Sequence, residues 1–183
     1  MRIMKSILLG AAIAAVVTAA GCGQKKTEGN AAEGPSATPA VSSPSVAPAN
    51  NEKQISIQSF YSDADLSKLV AKETSIRYSK DEDKYLASLG ALKKSPSAEL
   101  VSLCPNTTFT SAKLNQGKLT VDISLPDEDR LGSPGEGMLL EAFSKTLFQF
   151  SEVQSFELLV DGKKPDSLMG HYELPALFTR NSN

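Results

Sequence analysis

The chain has 183 residues, with 19 basic against 21 acidic side chains and a formal net charge of −2. Charges of both signs are interspersed, which excludes the basic face that a nucleic-acid partner requires. A single histidine excludes a zinc site built on paired His ligands.

The first element is a leader. Arg2 and Lys5 make a positive start, and Ile7 to Ala20 follow as an uninterrupted apolar and small-residue run. That run is shorter than the ~20 residues a bilayer-spanning helix needs, so it predicts a secretory signal over 1–21. The exit Val17-Thr18-Ala19-Ala20-Gly21-Cys22 places a cysteine directly after small residues. It resembles the lipobox of bacterial lipoproteins, with Ala19 where that motif usually carries Leu. The resemblance implies cleavage before Cys22, lipidation of its sulfur and a stable two-chain anchor in the membrane. An ordinary signal peptide cut near Ala20, leaving Cys22 an incidental thiol, is the alternative.

From Gly23 to about Asn51 the composition turns to Gly, Ser, Ala, Thr, Asn and Pro, with Pro35, Pro39, Pro44 and Pro48 evenly spaced. With little bulky apolar surface to bury, residues 22–51 are expected to form a disordered, extended linker. Residues 52–180 have the length of one domain that can bury a core without metals or disulfides.

Within this domain, Ile55 and Ile57 lead a strand through about Tyr61, and Ser62-Asp63-Ala64-Asp65 is turn chemistry. A second strand is expected over about Lys68 to Tyr78, with a helix through Leu66, Leu69 and Val70 competing at its start. Ser79-Lys80-Asp81-Glu82 has the form of a capping box. Tyr85, Leu86, Leu89 and Leu92 then recur at helical spacing, and Pro96 stops that first helix. Thr107–Leu114 and Lys118–Leu125 flank Asn115-Gln116-Gly117 as a hairpin, and Leu119, Val121, Ile123 and Leu125 share one buried face.

Pro126-Asp127-Glu128-Asp129-Arg130 leaves the sheet, with its charges expected in water. Ser133-Pro134-Gly135-Glu136 reads as a second capping box with Pro at the first helical position. Leu139, Leu140, Phe143, Leu147 and Phe150 give the core stripe of the second helix. Phe156, Leu158 and Val160 alternate up to the Asp161-Gly162 turn. The order β-β-α-β-β-α-β predicts an α+β fold, one sheet of about five strands with two helices on one face.

Little chemistry accompanies this pattern. The acidic pairs and runs at Asp63/Asp65, Asp81–Asp83 and Asp127–Asp129 lack the Gly and Glu placement of an EF-hand loop. No nucleophile elbow or P-loop is present. Gly132 to Gly137 precede a helix, but Glu136 would repel a phosphate there. Cys104 is expected as a small buried hydrophobe, and a Cys104–His171 dyad has no flanking motif to support it. No catalytic residue, metal or cofactor is assigned.

The ordered part resembles a GerMN domain. The likeness is carried by Ile57-Gln58-Ser59-Phe60-Tyr61-Ser62-Asp63, by Leu103-Cys104-Pro105-Asn106-Thr107 and by Leu119-Thr120-Val121-Asp122-Ile123-Ser124. The helix around Leu139 to Phe150, Val153 and Phe156 to Gly162 continue it. The family's usual Gly-Pro after the first helix is Ser95-Pro96 here. The resemblance implies a non-enzymatic envelope domain, in some members acting in sporulation or germination, with no catalytic set to carry over. A membrane-anchored scaffold outside the cell, with an envelope protein or the cell wall as partner, is the expected function. A receptor for a small ligand or wall fragment is the alternative.

Overall fold

The computed structural model describes residues 52–180. The expected signal peptide over 1–21, Cys22 and the linker over 22–51 lie outside the described residues.

β1 (Lys53–Asp63) and β2 (Leu69–Tyr78) form a long antiparallel hairpin in unbroken register from Lys53↔Tyr78 to Ser62↔Leu69. Ile57 and Tyr61 turn inward and are buried, as is Ile76 on the partner strand. The hairpin turn is held by the Asp63 carboxylate, which accepts bonds from the Ser67 amide at 2.7 Å and hydroxyl at 2.5 Å.

α1 (Asp83–Ala91) buries Tyr85 and Leu89, with Leu92 just beyond it. The expected box at Ser79–Glu82 does not form. Asp81 is drawn to Lys53 at 2.6 Å, and the helix starts one residue after Glu82. Asp83 reaches back to the Lys80 amide at 3.3 Å instead. β3 (Leu100–Val101) then pairs briefly with the end of β1.

β4 (Thr108–Asn115) and β5 (Lys118–Ser124) make the second hairpin. Its two turn residues, Gln116 at φ 47 and Gly117 at φ 83, both occupy left-handed backbone. Positive φ at both positions matches the right-handed strand twist, and glycine carries the second position without strain. Leu119, Val121 and Ile123 are at most 1% exposed. α2 (Ser133–Phe148) crosses over to β6 (Ser155–Val160), which lies parallel to β5. Parallel neighbours need such a crossover. β7 (Phe178–Thr179) closes the sheet against β6, its Phe178 stacked on Phe156 with centroids 4.4 Å apart.

The fold is α+β as expected, but its strands divide differently. Seven strands form two sheets, ordered β2-β1-β3 and β4-β5-β6-β7, in place of one sheet of about five. The physical cause lies along the stretch of β1 that β3 leaves unpaired. The Gln149 side chain accepts from the Gln58 amide at 2.9 Å and donates to the Gln58 carbonyl at 3.0 Å, where a neighbouring strand would otherwise pair. β3 and β7 pair over two residues each, too short to show any periodicity.

Both sheets nevertheless share one core. Tyr85 and Leu89 of α1 and Leu139, Phe143 and Leu147 of α2 meet the buried face of β5 in it. Arg180 fastens the end of the described chain, donating to the carbonyls of Phe148, Phe150 and Val153 at 2.6–2.8 Å. A Gln149→Ala variant is expected to lose about 1–2 kcal/mol, the range for two backbone bonds partly replaced by water. Urea unfolding should show a lower midpoint with an unchanged slope.

Candidate functional site

Two buried carboxylates dominate the interior chemistry. Asp129 ends a single 3₁₀ turn over Asp127–Asp129 and is 1% exposed. It accepts from the Asn106 amide at 2.9 Å, the Asn106 side chain at 2.9 Å, the Thr107 amide at 2.6 Å and the Thr107 hydroxyl at 2.7 Å. The expectation of water around this acidic run holds for Asp127, which faces solvent and pairs with Arg130. For Asp129 it is corrected. The chain entering β4 after Pro105 presents two amide donors with no strand partner, and a buried acceptor must meet them.

Glu136 has 0% exposure, and it does not cap its own helix. Gly132 takes the N-cap position in extended backbone, so Ser133 and Pro134 are the first two helical residues. Glu136 therefore falls one residue past the position a capping box needs, and a one-residue shift rotates a helical side chain by ~100°. Gly135 allows the close start, since a Cβ there would lie 2.7 Å from the Leu131 Cβ.

The Glu136 carboxylate points instead at the segment beyond β6. It accepts from the Met169 amide at 2.9 Å, the His171 amide at 3.0 Å and the Ser167 hydroxyl at 3.2 Å, and it meets His171 Nδ1 at 2.9 Å. Burial alone would raise this carboxyl. The bonds from Met169, His171 and Ser167 outweigh burial and hold it below its ordinary value.

The Cys104–His171 dyad, for which the sequence offered no supporting motif, is not assembled. Cys104 is fully buried, and burial, then the charge of Asp129, pushes its thiol up to about 12. A nucleophile needs the reverse shift. His171 is tied to Glu136 through both its amide and its ring. Cys104 thus sits as the small buried hydrophobe that the sequence suggests. A thiol reagent at pH 8 is expected to leave Cys104 unmodified in the folded protein and to react fully in denaturant, as followed by mass. Two of the other acids are occupied locally, Asp63 in its turn and Asp81 with Lys53. Among the described residues no three His, Cys, Asp or Glu side chains gather to hold a metal ion.

What the surface offers is grooves. One of about 800 Å³ runs between the start of α1 and β4. Its α1 side carries Asp81, Glu82, Asp83 and Lys84 with Tyr85 and Leu86, and Ala112 lines it from β4. Glu152 also lines it, bonded to the Tyr85 hydroxyl at 2.9 Å and paired with Lys84. Burial would raise the Glu152 carboxyl, but Lys84 and Tyr85 keep it below its ordinary value. A second groove of about 770 Å³ lies between α2 and Tyr172, Pro175 and Phe178. Neither could be read from the sequence, because each joins segments that only long-range pairing brings together.

Residues 58–166 match the Germane family, described as sporulation and spore germination. No curated protein matches the chain. The first GerMN domain of the sporulation protein GerM from Bacillus subtilis is similar in structure, with a TM-score of 0.56 and 18% identity. That match covers 69% of this chain and 98% of the GerM domain, and what it shares is the fold. A candidate lipoprotein from Clostridium perfringens aligns at a TM-score of 0.49 and 20% identity, over 71% of this chain and 89% of its own. The tandem GerMN domains of the same GerM align at 0.43 and 16%, over 75% of this chain and 50% of theirs. No helix among the described residues is long and apolar enough to cross a membrane.

Proposed function

The chain belongs to the Germane family of sporulation and spore germination, the GerMN-type domains, and we propose that it is a lipid-anchored, extracytoplasmic scaffold of the cell envelope without catalytic activity. Its tether is Cys22, lipidated after removal of residues 1–21, and residues 22–51 hold the domain away from the bilayer. A role in sporulation or germination follows the family's description and the name of the GerM relative.

One observation carries the non-catalytic part. The side chains that could do chemistry in the folded unit serve to hold loops. Asp129 fastens the entry to β4, Glu136 and His171 fasten the segment after β6, and Cys104 is sealed in the core. What remains for a partner is surface, including an 800 Å³ groove with an acidic wall.

The tether is tested by fractionation of the full chain and of Cys22→Ala. The native chain should stay with membranes through high salt and leave only with detergent, while the variant should be released. Release of the native chain by salt alone would contradict the anchor. The alternative, a receptor for a small ligand or wall fragment, draws on groove volumes within the ~300–1,000 Å³ range of small-molecule pockets. It requires a thermal shift with muropeptides or a free solute.

A further inference from the structure

We infer that β4 is a docking edge for an extended, Lys- or Arg-bearing segment of a partner protein, which adds as a fifth strand in the groove between β4 and α1. The inference rests on the proposed role as a binding module and names the place and the chemistry of binding.

The sheet order β4-β5-β6-β7 leaves β4 with a neighbour on one side only. Asn115 and Lys118 flank a two-residue turn and so form a hydrogen-bonded pair. By alternation, Lys113 and Ser111 also bond toward β5, whereas the backbone N–H and C=O of Ala112 and Leu114 point away from it. Among the described residues, no turn, loop or side-chain hydrogen bond falls on those four groups. They sit at the groove. Every residue from Thr110 to Leu114 lines it. Consecutive residues of a strand face opposite sides of the sheet, so a groove that touches all of them runs along the edge.

The opposite wall sets the chemistry of the occupant. Asp81 and Glu152 already have Lys53 and Lys84 as partners. Glu82 and Asp83 have no cation within ion-pair distance among the described residues, and both line the groove. Lys113 is the exposed cation of the β4 side and has no acidic partner there. A strand laid between them is matched by a basic side chain toward α1, an acidic or hydroxyl one beside Lys113, and a small apolar one over Leu86.

A second copy of this chain fits poorly. Antiparallel pairing of two β4 edges about Lys113 would set two lysines against each other, and the register irregularity between Phe109 and Ser111 shortens the straight stretch. Lysine and bulges on an edge strand oppose such self-pairing. Backbone pairing gives affinity in this mode and alternate side chains give specificity.

The test uses the full chain in detergent micelles and a displayed library of random linear heptapeptides as the probe. Enriched peptides should carry Lys or Arg among β-branched residues. N-methylation at alternate residues should weaken binding at least tenfold, and methylation at the intervening residues should not. Glu82→Lys lies on an exposed position and should weaken binding about tenfold with an unchanged circular dichroism spectrum. Lys113→Glu, scored independently, should redirect selection toward peptides with a second basic residue. No enrichment, or binding indifferent to both N-methylation and Glu82→Lys, would overturn the inference. So would dimerisation of the chain that peptides cannot compete away. Membrane retention is read by salt washing of the membranes before extraction, and hydrolytic turnover on the extracted chain. Loss of peptide binding with retention intact counts against the edge alone, while turnover counts against the non-catalytic role.

Discussion

Replacing Glu136 with alanine is expected to lower the unfolding free energy by about 3–4 kcal/mol, the scale of leaving several buried donors without their charged acceptor. The amides of Met169 and His171 and the Ser167 hydroxyl all lose the same carboxylate. Because those donors lie in one segment, the loss should be local as well as global. Amide exchange across residues 163–176 should accelerate more than exchange in β5. Glu136→Gln keeps one acceptor oxygen and the shape of the side chain, so about half the loss is expected. The effect also depends on pH. Glu136 titrates below its ordinary value when folded, so its contribution is present above about pH 4.5 and is lost as pH falls through the folded value. The difference between wild type and Glu136→Gln should therefore shrink on acidification, with stability read by denaturant midpoints.

Asp129→Ala is expected to cost about 3–5 kcal/mol, with the larger end favoured because this carboxylate is enclosed with its donors. Two amides, one hydroxyl and one side-chain amide converge on it. The conservative variant should behave as at Glu136, where both oxygens also face donors. Asp129→Asn turns one acceptor into a donor but keeps the other oxygen for its amide and hydroxyl partners. About half of the alanine loss is therefore expected. A thermal melt that placed Asp129→Asn within about 1 kcal/mol of wild type would contradict the geometry.

These two carboxylates also mark where local sequence ran out as a guide. The strand alternation of Leu119, Val121 and Ile123 and the helical spacing of Leu139, Phe143 and Leu147 are local signals. Every one of those residues is buried in the common core. Tyr85 and Leu89 placed α1 for the same reason, and the likeness to GerMN domains is matched by the family over residues 58–166. The start of α2 was misplaced by one residue, because Gly132 and Ser133 can each cap a helix and only packing against Leu131 separates them. That single residue turned Glu136 from a cap into a buried clasp. Asp129 looked like any loop acid, since its donors at Asn106 and Thr107 are more than 20 residues earlier.

The division into two sheets was hidden more deeply. It depends on Gln149 meeting Gln58 across 91 positions, with no pattern in either segment to announce it. The docking groove shares this origin. β4 has an open edge only because β5 takes β6 as its second neighbour, and parallel pairing through a helix leaves no short-range signature. Hydrophobic periodicity therefore gave the elements and their buried faces, while polar contacts between distant segments decided how they were joined.

The proposed function requires a folded, non-catalytic unit tethered through Cys22. Intact mass measurement of the chain extracted from its own membranes tests that most directly. The expected species begins at Cys22 and carries the added mass of a diacylglyceryl group on the sulfur, with Cys104 unmodified. A mature chain beginning near Gly21 with a free thiol at Cys22, or one retaining residues 1–21, would contradict it.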